Sequence, residues 1–210
     1  MQQSLNNSEW DQCEVRVAGG STATYVYRRA ANSGRAGRTG EGAHSFEPWV
    51  VVAPSAVMAR CGCRGKGLYA ARTFACDDYV GRYEGETIGH YPSRFAAMTS
   101  GEARRRVMRG HDKLVTLRAI GGGVHLVDGE RGPPPFVQMC NDGRGTALSA
   151  NCGITDAGWL RVLHARIPRF DPRKSIAENA HAELRIEYGD EYWALFDELG
   201  KSAAYAIDVS

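Results

Sequence analysis

Glu183-Leu184-Arg185-Ile186-Glu187-Tyr188-Gly189-Asp190-Glu191-Tyr192-Trp193 is the stretch on which the reading turns. From Glu183 to Tyr188 charged and apolar side chains alternate, the period of two expected of a half-buried strand. Gly189 then frees the chain to turn, and the aromatic pair Tyr192-Trp193 follows. A strand that ends on a tyrosine beside a glycine presents a phenol at an edge, where it can serve as core or as chemistry. Its neighbours in sequence decide between the two.

Upstream, Pro168 and Pro172 break regular structure, and Gly158 to Ile167 offers a strand pair. Lys113 to Ile120 and Val124 to Val127 flank Gly121-Gly122-Gly123 as the arms of a hairpin. Between Ser93 and Arg109, Phe95, Met98, Val107 and Met108 sit among Ala, Glu and Arg with no proline, a pattern for one or two short helices. Asp78 to Tyr83 and the β-branched run Trp49-Val50-Val51-Val52 read as strands, separated by the glycine-punctuated turn Cys61 to Gly67. The fold class that follows is mainly β with short helices, in several small sheets. Ala18 to Gly42 is rich in Gly, Ser, Ala and Arg, so residues 1–47 are expected to form a flexible extension. The domain is placed at 48–193, with a helical insert at about 92–111 and a C-terminal segment at 194–210.

Bulk properties narrow the classes further. The 210 residues suffice for one domain with a substantial core. A hydrophobic fraction of 43%, a charged fraction of 24% and a net charge of +2 describe a globular chain with no polyelectrolyte character, so composition alone calls for no nucleic-acid partner. The start Met1 to Asn7 lacks a basic, apolar secretory signal, and the longest apolar stretch, Trp49 to Ala59, falls far short of a membrane span. An intracellular protein with no membrane partner is expected, its six cysteines reduced. Cys61-Gly62-Cys63 offers two thiolates at most, too few for tetrahedral zinc, so no metal site is expected.

Three further segments carry potential chemistry. In Gly65-Lys66-Gly67-Leu68-Tyr69-Ala70 the paired glycines allow close backbone approach to a ligand. In Tyr83-Glu84-Gly85-Glu86 a tyrosine supplies a ring wall and a hydroxyl. In Met139-Cys140-Asn141-Asp142 through Ala150-Asn151-Cys152, two asparagines bracket a Gly-containing loop and can donate and accept at once. Each alone is equally a turn or a core residue.

In this order, Gly-x-Gly, Tyr-x-Gly-Glu, Asn-Asp with a later Asn-Cys, and Glu-Leu-x-x-x-Tyr-Gly, the segments resemble the signature of the SET-domain protein lysine methyltransferases over roughly Trp49 to Trp193. The resemblance implies a β-clip-like SET fold with a pseudoknot near the active site, and methyl transfer from S-adenosylmethionine to lysine of a basic protein, such as a histone tail. A histone substrate would imply a nuclear location. Carried onto these positions, Tyr188 faces the transferred methyl and Tyr83 lines the lysine channel, the two catalytic candidates. Lys66, Gly67 and Leu68 hold the cofactor through their backbone with Tyr69 beside it. Asn141 binds its amino-acid part, the Asp142 backbone lies near the adenine, and Trp193 or Tyr192 covers the ring.

The chain departs from that pattern in four places. Asn179-Ala180-His181-Ala182 replaces the Gly-Glu before Glu183, Asp142 stands where histidine is more usual, Ile186 stands where many members carry Phe or Tyr, and zinc-binding flanks are absent. Charge is uneven, with Arg104, Arg105, Arg106, Arg109 and Lys113 in the helical insert and Asp190, Glu191, Asp197 and Glu198 after the last strand. These are solvated faces, or an acidic patch for a basic peptide and a basic patch for nucleic acid. Two alternatives therefore stay open: an inactive SET-like binding module and an arginine-rich nucleic-acid-associated protein.

Overall fold

A computed structural model describes residues 10–29, 46–60, 62–130, 132–144, 146–163 and 166–200. The chain is mainly β, in four small sheets with few short helices. In chain order the strands are β1 Trp10–Arg16, β2 Thr22–Arg29, β3 Phe46–Pro54, β4 Lys66–Ala70, β5 Tyr79–Arg82, β6 Glu86–Tyr91, β7 Leu114–Arg118, β8 Val124–Asp128, β9 Asn141–Asp142, β10 Cys152–Ile154, β11 Trp159–Val162 and β12 Arg185–Ile186. The helices are α1 Ala56–Arg60, α2 Arg94–Met98, α3 Gly101–Met108 and α4 Asp190–Glu198.

The first sheet runs β1-β2-β3-β4, all antiparallel. Its β3 is the run read around Trp49, and Val50 and Val51 are completely buried because the sheet is covered on both faces. Pro48, which has no N–H to give a ladder, sits at the register shift opposite Tyr27. β1 and β2 correct the expectation that ordered structure begins near residue 48. The Gly/Ser/Arg-rich composition hid the alternation of Ala23, Tyr25 and Tyr27 with Thr24, Val26 and Arg28, and Val26 reaches the core. Residues 1–9 and 30–45 of the expected extension, Cys61, and 201–210 of the expected C-terminal segment lie outside the described residues.

Two three-stranded sheets, β10-β11-β5 and β6-β8-β7, pack around the middle of the chain. β7 and β8 are the expected hairpin. The helical insert is also as expected: Ser93 caps α2 by accepting from Ala96 N at 3.2 Å, and Ser100 caps α3 by accepting from Ala103 N at 3.1 Å. Its apolar residues Ala97, Met98, Ala103 and Val107 pack on Tyr192, Trp193, Leu195 and Phe196 of α4. α4 therefore belongs to the domain, and the expected boundary at residue 193 falls inside it.

The stretch quoted first behaves differently from its pattern. Only Arg185 and Ile186 enter a ladder, in parallel with Asn141 and Asp142 of β9, and every residue from Ala182 to Ile186 is buried. Of the charged side chains in the alternation, Glu183 and Arg185 do not face water, whereas Glu187 does. Glu183, fully buried, accepts from Ser55 Oγ at 2.6 Å, Ala56 N at 2.9 Å, Val57 N at 3.0 Å and Asn141 Nδ2 at 3.2 Å. A Cβ at position 67 would collide with this carboxylate, which is why the second glycine of Gly-x-Gly is needed. Arg185 donates to Ser149 O, Ala180 O and Glu183 O, each at 2.9 Å.

We expect Glu183→Ala to lower stability by about 3–5 kcal/mol, because it strands several buried donors at once. Glu14→Ala on the exposed edge strand should change it by less than about 0.5 kcal/mol. Chemical denaturation of both variants checks this, and equal midpoints would refute the role of Glu183.

Candidate functional site

Two depressions meet at the segment Glu187–Tyr188. The first is a narrow cavity of about 110 Å³ lined by Tyr83, Met98, Cys140, Ile154, Ile186, Tyr188 and Tyr192, with Arg94, Asp112, Lys113 and Glu187 among its polar groups. The second is wider, about 400 Å³, and is lined by Asp142, Arg144, Thr146, Ser149, Glu187, Gly189, Asp190 and Trp193. Glu187 belongs to both.

The narrow cavity gathers the two expected catalytic tyrosines. Tyr188 Oη donates to Cys140 O at 2.9 Å, and Tyr83 Oη donates to Lys113 O at 2.6 Å. Both phenolic protons are thus directed at main-chain carbonyls. Burial, with Asp128 and Asp112 adding to it, holds the Tyr83 hydroxyl well above the usual phenol range, so it stays neutral. Burial likewise pushes the Cys140 thiol up, and the Cys152 thiol up to about 12. Both are inert at neutral pH.

Tyr188 is held by its main chain as well. Its N–H donates to Asp142 Oδ2 at 2.9 Å, and its carbonyl accepts from Arg94 Nη2 at 2.8 Å. Its ring lies 4.5 Å from that of Tyr192, edge-on, and stacks on Trp193 at 5.8 Å. Gly189 follows with φ of +87°, and a side chain there would meet the Arg94 guanidinium.

On the wider side, Trp193 is 8% exposed, its indole N–H donates to Asp142 Oδ2 at 2.9 Å, and the Arg144 guanidinium lies over its ring at 5.1 Å. Trp193 lines this depression, whereas Tyr192 lines the narrow one, its hydroxyl donating to Asp112 O at 2.8 Å. Asn141 is buried and donates to Lys66 O at 2.9 Å as well as to Glu183. Among the described residues nothing donates to Asn141 Oδ1, which leaves one acceptor for a ligand.

The Gly-x-Gly segment lies apart from both depressions. Lys66 is exposed, Gly67 and Leu68 are buried, and Leu68 O accepts from Leu184 N at 2.7 Å. Two backbone carbonyls of this segment, those of Lys66 and Leu68, already have protein partners. Tyr69 departs from its expected place beside a cofactor. It is completely buried against Phe170, its hydroxyl donating to Pro54 O at 2.7 Å and accepting from Ala56 N at 2.8 Å. The physical reason is strand parity: in β4 Tyr69 points to the face that packs on Val17, Ala23 and Ala53.

Sequence reading missed Arg94, which holds the Tyr188 carbonyl from the helical insert, and Arg144, which covers Trp193. Arg144 lies in the loop between the two asparagines, where a cation beside Gly143 was a visible signal; Arg94 gave none. The two charge clusters also meet one another: Arg104 pairs with Glu198 and Arg94 with Glu191, while Arg105 pairs with Glu102 and Arg106 with Glu86, Glu102 and Asp128. A nucleic-acid face built on these arginines would have to break those pairs.

Asp128 is buried and accepts from Arg106, His111 and Glu130 N, with Glu86 opposite on Arg106. Burial alone would raise its pKa, but the His111, Glu130 N–H and Arg106 contacts outweigh it and hold the carboxyl below its usual range. In comparisons with known proteins, no family model matches the chain and no curated protein matches it. Among the described residues no helix is long and apolar enough to cross a membrane.

A carboxyl with a depressed pKa stabilises the fold above its ordinary value near pH 4, and that contribution is lost as pH falls through the lower folded-state value. We expect the stability of the wild type to fall from about pH 4 downward and that of Asp128→Asn to fall less steeply over the same window. Denaturation midpoints measured against pH check this; parallel curves would contradict it.

Proposed function

We propose that the chain is an S-adenosylmethionine-dependent protein lysine methyltransferase of SET type, with the narrow cavity as the lysine channel and the wider depression as the cofactor side. The observation that carries this reading is the pair of phenols on one narrow cavity, both with their protons directed at main-chain carbonyls. Each therefore turns only acceptor lone pairs to whatever enters. Acceptor oxygens beside the apolar walls of Met98, Ile154, Ile186 and the tyrosine rings suit an amine and a polarised methyl group.

The sizes agree with the assignment. The wider depression of about 400 Å³ falls within the roughly 300–1,000 Å³ typical of ligand pockets, and the narrow one of about 110 Å³ takes a single unbranched side chain. Asn141 Oδ1 is available to accept from an amino-acid ammonium, and Trp193 and Arg144 offer planar surfaces for a ring. The parallel pairing of β12 with β9, bracketed by Asn151, which donates to Glu183 O and accepts from Arg185 N, supports a crossed arrangement of the pseudoknot kind.

When bound, S-adenosylmethionine supplies a methyl group on a sulfonium. The chain's own contribution is alignment and desolvation. A lysine ammonium entering between Met98, Ile154, Ile186 and the tyrosine rings loses hydration, which lowers its pKa and releases its proton to solvent. The neutral amine held there would be the acceptor of that methyl group, with the thioether as leaving group. Tyr188 Oη and Cys140 O orient the reacting groups by weak C–H···O contacts, and near-attack alignment supplies much of the rate. No base is required of Tyr188, whose proton is held by Cys140 O. A basic peptide as substrate is favoured by the exposed Glu187 at the cavity and by the exposed Asp190 beside it.

Tritiated S-adenosylmethionine with mixed core histones and a cell extract tests the reading. Wild type should label protein, and Tyr188→Phe should reduce the rate by about tenfold or more. Cofactor binding without any labelled protein, or equal labelling by the variant, would defeat it.

A further inference from the structure

We propose that the side chain of Asp142 is a positioning residue that fixes Tyr188 and Trp193 relative to each other at the wall between the two depressions; this rests on the function proposed above. Its two oxygens receive three donors: Oδ1 accepts from Arg144 N at 2.7 Å, and Oδ2 accepts from Tyr188 N and from Trp193 Nε1, each at 2.9 Å. The first donor belongs to the loop that covers the indole, the second to the main chain of the reacting phenol, and the third to the ring that stacks on that phenol. One carboxylate thereby joins both sides of the site.

The chemistry of the position requires an anion with two accepting ends. An asparagine has one accepting oxygen, so it would serve either Arg144 or the Tyr188–Trp193 pair and would turn an N–H₂ against a donor at the other end. A histidine, more usual in the motif that this segment resembles, offers a single accepting nitrogen. Tyr188 lies at the end of the two-residue strand β12, beyond its ladder, so its peptide units are held by side chains: Asp142 takes the N–H and Arg94 gives to the carbonyl. Loss of the Asp142 acceptor frees one side of this clamp and the indole together. Asp142 lines the wider depression and not the narrow cavity assigned to the substrate side chain.

The variants Asp142→Asn, Trp193→Phe and the double variant, assayed with tritiated S-adenosylmethionine and core histones, test the assignment. Asp142→Asn should lower kcat by about tenfold or more, with KM for histone changed by less than about threefold, because alignment and not peptide binding is lost. Trp193→Phe should cost less in the Asp142→Asn background than in wild type, as two groups on one interaction do. The wild-type indole N–H resonance, assigned by its absence in Trp193→Phe, should be protected from solvent exchange, a measurement that stands even if Asp142→Asn does not fold. An unchanged kcat, additive costs or an unprotected indole would overturn the positioning role while leaving the methyltransferase reading intact. A wild type that labels no protein would overturn both.

Discussion

The buried carboxylate of Glu183 is the constraint on which the rest of the structure depends. A charge with no solvent contact is tolerable only if its oxygens are fully engaged, and Glu183 engages Ser55, the first two amides of α1 and Asn141. Those groups come from two segments of the chain, 55–57 and Asn141, both distant from Glu183 in sequence. Their convergence fixes where β4 can run, forces a glycine at position 67, and seats Asn141 so that its side chain spans Glu183 and the Lys66 carbonyl. Once Asn141 is placed, β9 lies beside β12, and Asp142 and Tyr188 are brought within hydrogen-bonding distance. The geometry of the candidate site is thus a consequence of how one acid is accommodated in the core.

The site built on that frame divides its work by polarity. On the narrow side the walls are Met98, Ile154, Ile186 and aromatic rings, with the hydroxyl oxygens of Tyr83 and Tyr188 turned to accept and Arg94, Asp112, Lys113 and Glu187 among the charged groups. On the wider side Asp142, Arg144 and Trp193 form a layered arrangement of carboxylate, indole and guanidinium. Tyr188 links the two, lining the narrow cavity while its N–H rests on Asp142 and its ring on Trp193. The proposed chemistry asks for such a division, because an amine must shed water on one side while a charged, flat ligand is held on the other. The arginines of the insert hold this arrangement from outside. Arg94 and Arg104 tie α2 and α3 to α4, which gives the charge clusters a structural use before any partner is considered.

Much of this was legible in the sequence, for identifiable reasons. Strands β3, β5, β7 and β8 and the two insert helices announce themselves by β-branched runs, glycine turns and serine caps, all of which act locally. The grouping of Tyr83 with Tyr188, and of Asn141 and Asp142 with Trp193, was suggested only by motif order. The first two strands were hidden because the Gly- and Ser-rich sequence that separates β1 from β2 and follows β2 reads as a linker, while the partner of β2, β3, lies further along the chain. The burial of Glu183 and Arg185 could not be read either: alternation normally means one wet face, and here both faces are covered by segments remote in sequence. Tyr69 was misplaced for a related reason, since strand parity decides which side a residue takes and a motif does not state it. Arg94 and the side-chain role of Asp142 depend on contacts between elements 46 to 94 residues apart, which no local pattern encodes.

The central claim is that the wider depression, lined by Asp142, Arg144 and Trp193 with Asn141 next to Asp142 in β9, receives S-adenosylmethionine next to a channel ending at Tyr188. Calorimetric titration of the full chain with S-adenosylmethionine tests it most directly. Saturable binding at one site per chain, weakened by at least about tenfold when Asn141 is replaced by alanine, is the result expected. The absence of any binding heat and of any thermal stabilisation by the ligand at millimolar concentration would contradict it.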